Sequence, residues 1–104
     1  MPKKTFFLMY HVERRILMKK LINLASDKLR AEKMKGRKYK DIAASIGVPA
    51  TRLSEIRKRR YMGEATFLAL LTHNIVTKAD LAALRAQNKF SEIENEIIGM
   101  IVDL

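Results

Sequence analysis

Thr51, Ser54, Glu55 and Lys58 stand at i, i+3, i+4 and i+7. On a helix that spacing gathers four polar side chains on one face. Their chemistry is that of reading hydrogen-bond edges, not of making or breaking bonds. A threonine offers a hydroxyl and a methyl group. A glutamate accepts from an amino group such as that of cytosine, and a basic side chain donates to guanine or to a phosphate. Ala50 at the helix start and Arg52 beside the stripe complete a candidate base-reading set. Two plainer roles stay open from the residues alone. Glu55 is placed to pair with Arg59 at i+4, and Thr51 and Ser54 are suited to local capping.

Cations bracket that stripe. Arg37, Lys38 and Lys40, with Tyr39 among them, precede it, and Arg57, Arg59 and Arg60 flank its far end. Basic side chains and free helix-start N–H groups are the usual ligands of backbone phosphate, so these seven form a candidate phosphate-contacting set. The whole chain carries 21 Lys+Arg against 11 Asp+Glu, a net charge of +10. Residues 1–60 hold 18 basic and 5 acidic side chains; residues 61–104 hold 3 and 6. One half is therefore strongly cationic and the other mildly anionic, the footprint of a polyanion partner at the first half.

Nothing comparable points to catalysis. His11 and His73 are isolated, and Glu92, Glu94 and Glu96 alternate along the tail and so face different ways on a helix. No phosphate loop, nucleophile triad or metal-ligand spacing is present, so no enzyme activity, metal or cofactor is expected. Without cysteine there is no disulfide framework, which suits a reducing cytoplasm. The apolar run Phe6 to Tyr10 is short and is broken by His11, Glu13, Arg14 and Arg15, so neither a signal peptide nor a membrane span is expected.

The elements that must hold the stripe are two short helices crossing at a tight turn. Apolar or small residues at Ile42, Ala43, Ile46, Val48, Leu53 and Ile56 meet the steric demands of such a corner. Ala43 is small where the second helix passes. Gly47 can take the left-handed backbone that ends the first helix, and Pro49 suits the first turn of the second. The reading is a helix at about 39–46 and another at about 49–59. Corners of this kind commonly present their second helix to the DNA major groove.

Helical periodicity continues on both sides. Leu21, Leu24, Ala25, Leu29 and Met34 mark an amphipathic helix over 18–35, ended by Gly36. A helix over 64–73 turns Phe67, Leu68, Leu70 and Leu71 inward, with Asn74 as a left-handed stop. Thr77 and Asp80 form a near-capping box for a helix over 78–88 that buries Leu81, Ala82 and Leu84. Residues 5–17 fit a helix better than a strand, because apolar and polar positions do not alternate. In the tail, Phe90, Ile93, Ile97, Met100 and Leu104 step by 3, 4, 3 and 4, a heptad seam that Ile98 and Ile101 widen. That seam predicts an oligomerising helix, giving a homodimer or higher homo-oligomer. The expected organisation is an N-terminal extension over 1–17, a DNA-binding domain over 18–88 and an oligomerisation helix over 89–104.

Residues 18–85 resemble the Cro/CI-type helix-turn-helix family of phage and plasmid regulators. Gly36-Arg37-Lys38-Tyr39-Lys40-Asp41-Ile42-Ala43 stands where the family has Gly-x-Thr-Gln-x-x-Leu-Ala. Ile46-Gly47-Val48 is similar to its turn, and Leu53-Ser54-Glu55-Ile56 to its recognition helix. Asn74-Ile75-Val76-Thr77-Lys78-Ala79-Asp80-Leu81 is similar to its Gly-Val-Ser-x-x-x-Leu link. Lys38 and Tyr39 depart from the pattern, replacing the threonine cap and the glutamine that touches phosphate and braces a base-reading side chain. The resemblance implies an all-α, five-helix fold and sequence-specific binding of double-stranded DNA by a phage or mobile-element transcription regulator, a repressor foremost. Thr51 to Gln87 is also similar to phage CII-type activators. Two further readings fit the same residues. One is an antitoxin-like protein that binds a toxin and represses its own operon; the other is non-specific nucleic-acid binding. A toxin or RNA polymerase is then the protein partner to consider.

Overall fold

Among the described residues there are six α-helices: α1 (Lys3–Met34), α2 (Tyr39–Ile46), α3 (Ala50–Arg57), α4 (Glu64–Thr72), α5 (Lys78–Ala86) and α6 (Glu92–Val102). This computed structural model describes the backbone of residues 3–87 and 89–102 and the side chains of residues 12–87 and 89–100. Among the described residues there is no strand, and no helix is long and apolar enough to cross a membrane. The protein is all-α.

α1 is the spine. Its 32 residues reach about 48 Å at 1.5 Å per residue. The expected boundary between residues 17 and 18 falls inside this one unbroken helix. Leu17, Leu21, Ala25 and Leu29 recur every fourth residue and are fully buried. α3 and α6 both pack against α1, α2 packs on α3, and α4 on α6. Ile42, Leu53, Ile56, Phe67, Leu70, Val76 and Ile97 fill the space between them. Met34, expected inside, is 83 % exposed because it lies at the end of the spine, beyond the helices that cover it. Ala82 is exposed too, while Leu81 on the same helix is buried and Leu84 partly so.

Local chemistry sets the helix ends. Gly47 takes φ 73° and closes α2, and the Val48 N–H donates to the Ala43 carbonyl at 3.1 Å. Pro49 stands one residue ahead of the first turn, as the cap of α3. Asn74 adopts φ 59° after α4, the left-handed stop expected of it. The Thr77–Asp80 capping box forms in full: the Asp80 N–H donates to Thr77 Oγ1 at 3.1 Å and the Thr77 N–H to Asp80 Oδ2 at 2.9 Å. Lys28 of α1 reaches Asp80 Oδ1 at 2.9 Å, pinning α5 to the spine.

The tail departs from its expected use. Phe90 and Ile97, assigned to a seam between two chains, are 8 % and 0 % exposed within this one, and Ile93 packs against the same core. Met100 is exposed, and the side chains of Ile101 and Leu104 lie outside the described residues. The physical reason is the length of α1, which leaves an apolar flank that α6 covers. A second capping box starts α6. The Glu94 N–H donates to Ser91 Oγ at 3.2 Å, and the Ser91 N–H to Glu94 Oε1 at 3.4 Å. Glu94 is buried, and Lys20 Nζ donates to both of its oxygens, at 2.8 and 2.9 Å, and to the Lys89 carbonyl at 2.8 Å. Lys20 is partly exposed and Glu94 is buried, so removing Lys20 would leave a buried carboxylate without its ion-pair partner at the α1–α6 contact.

Candidate nucleic-acid interface

The polar stripe of α3 is fixed by the opposite face of the same helix. Leu53 and Ile56 are fully buried, and Ala43 of α2, 2 % exposed, lets the two helices approach. The far end of α3 is tied to the spine: Ser26, buried on α1, donates through Oγ to the Arg57 carbonyl at 3.4 Å. Arg59 then turns the chain with φ 58°, the Arg59 N–H donating to Ile56 and the Arg60 N–H to Glu55 at 2.9 and 3.0 Å. A non-glycine residue in this region carries strain, so the turn is imposed by its surroundings.

With the inner face committed, the base-reading candidates point away from the core. Ala50, Thr51, Arg52 and Lys58 are exposed; Ser54 and Glu55 are half-buried. The alternative pairing of Glu55 with Arg59 is not made. Arg59 instead reaches Asp27 Oδ1 at 3.2 Å, and Glu55 has no ion-pair partner among the described residues. Arg52 borders a groove between the corner and α4 that also takes in Gly47, Pro49 and Tyr61.

The phosphate candidates divide into two groups. Lys38, Lys40, Arg57 and Arg60 are exposed and have no acidic partner among the described residues. Arg37, by contrast, is engaged within the chain: Nη1 donates to Glu32 Oε2 at 3.0 Å and Nη2 to Ser45 Oγ at 3.3 Å. The Arg37 hydrogen bond, with help from Lys35, holds the Glu32 carboxyl below the usual glutamate value. Arg37 thus braces the α1–α2 connection. Tyr39 is half-buried, with Lys33 Nζ 5.2 Å and the Arg57 guanidinium 5.7 Å from its ring centre. Both lie within cation–π range. Tyr39 therefore gathers two cations, from α1 and α3, at the start of α2.

The helix starts show a matching asymmetry. α5 and α6 open with full capping boxes. α2, α3 and α4 open at Lys38, Pro49 and Gly63, none of which caps through its side chain. In α3 the Arg52 N–H turns back to the Pro49 carbonyl at 3.0 Å; the first two N–H groups of α2 and α3 have no side-chain cap and are left for outside acceptors. Ser26 and Glu32 are positioning residues that sequence reasoning missed. Their partners lie across tertiary or loop contacts, and no local motif announces them. No protein-family model, curated protein or solved structure matches this chain.

Proposed function

We propose that the protein is a sequence-specific double-stranded-DNA-binding transcription regulator of the phage or mobile-element type, with α3 lying in the major groove. The observation that carries this reading is the division of α3 itself. Its apolar face is wholly buried, and its other face presents uncommitted donors and acceptors, flanked by Lys38, Lys40, Arg57 and Arg60, which no acid neutralises among the described residues. Base edges supply the matching pattern, and the phosphates beside them match the cations. Where the site overlaps a promoter, occupancy represses it. Non-specific nucleic-acid binding would use the cations but leaves the ordered polar stripe without a role.

Because the tail seam is buried within the chain, dimerisation is assigned to other surfaces. Val12 and Ile16, one helical turn apart on α1, are 58 % and 42 % exposed. A second copy joined there would read a pseudo-palindrome with half-sites about 34–36 Å apart. Selection of bound duplexes from a random pool tests the function. A recurrent, two-fold-symmetric sequence is the expected result. A pool that stays random after repeated selection contradicts sequence-specific reading.

A further inference from the structure

A second basic surface lies beside the end of α3. The loop Arg59 to Gly63 and the α1 segment carrying Arg14, Arg15 and Lys19 face one another across an open groove of about 380 Å³. Five cations line it against the single carboxylate of Glu64, which is already paired with Arg14. Arg59 reaches away to Asp27. That leaves Arg15, Lys19 and Arg60, all exposed and without an acidic partner among the described residues. Arg15 and Lys19 stand at i and i+4 on α1, where like charges destabilise an isolated helix. Ile22 and Met62, each 6 % exposed, underlie the groove, so its floor is packed. The groove begins at α3 itself, since the Arg60 N–H is bonded to the Glu55 carbonyl.

We propose that this groove takes the phosphate backbone of the duplex flanking the bases read by α3, making the middle of α1 a second DNA-contacting element. The inference rests on the proposed function and extends it. A row of cations without acceptors of their own fits a row of phosphodiesters, and its continuity with α3 places it where the strand leaves the reading helix. Such contacts carry no base information; they add affinity and salt dependence.

The test compares the full chain with R15A/K19A on two duplexes that share one enriched two-fold core, about 18 and about 36 base pairs long. On the long duplex the variant is expected to bind about tenfold more weakly, with the slope of log K against log salt shallower by about two. On the short duplex, and in base preference, it matches the wild type. A K78A/R85A control, which removes two exposed cations from α5, leaves both affinities unchanged. Equal loss on both duplexes, or equal loss in the control, overturns the proposal, since either reduces it to net charge. Saturable binding of inorganic phosphate at Arg15 and Lys19 by NMR, with no dependence on duplex length, overturns it in favour of a small-anion site. A wild type that binds DNA while R15A/K19A is indifferent sinks the groove alone. A wild type with no affinity for either duplex sinks the proposed function as well.

Discussion

Thr51 and Lys58 are the exposed ends of the polar stripe, and Lys58 has no acidic partner among the described residues. Replacing either with alanine should cost about 1–3 kcal/mol at the preferred site and relax preference at one base position. Arg60→Ala should instead weaken binding to all sequences alike. Competition binding against single-base variants of the enriched duplex separates the two outcomes. A Thr51→Ala, Lys58→Ala protein with unchanged preference would show that the stripe reads nothing. Asp80 offers a residue-scale test of the fold. Burial raises its pKa, but hydrogen bonds from Lys28 and Thr77 outweigh burial and leave it below the ordinary 3.8. A carboxyl depressed by folding stabilises fully above its unfolded pKa and loses that contribution as pH falls through its folded value. The stability of Asp80→Asn should therefore fall less steeply than wild type below about pH 4. Thermal midpoints measured down through that range check this, and parallel curves would deny Asp80 its role.

At the scale of elements, the corner was legible because its demands are local. A left-handed Gly47, a small Ala43 and the buried pair Leu53 and Ile56 are each dictated within a few residues, as are Asn74 and the Thr77 cap. Ala43→Leu should overpack the α2–α3 crossing and cost about 1–3 kcal/mol. Chemical denaturation measures it, and an unchanged midpoint would mean the helices do not cross closely there. What lay beyond reach was which surface covers an apolar stripe. The steps from Phe90 to Ile97 identify a face, and a face does not name its partner; α1 of the same chain turned out to cover it. Ser91 and Glu94 did carry a readable signal, the spacing of a capping box, and it was missed because the heptad pattern claimed the segment. The Lys20–Glu94 pair, across 74 residues, had no local sign at all.

For the whole molecule, the burial of α6 reverses the consequence of cutting the tail. Ile97→Asp puts a charge into a fully buried site, so lost helical content is expected, not a folded monomer. Val12→Asp with Ile16→Asp changes exposed positions and should yield a folded monomer with weaker operator binding. Sedimentation together with circular dichroism reads both variants. A double variant that still sediments as a dimer would move the interface off α1.

In the proposed complex α3 enters the groove with its polar stripe foremost and the cations of α2 beside it. Amide NMR shifts on titration with the enriched duplex test it most directly. The largest changes are expected at residues 50–58 and 38–40, with α5 and α6 nearly silent. Changes concentrated on α5 and α6, with residues 50–58 unmoved, would contradict it.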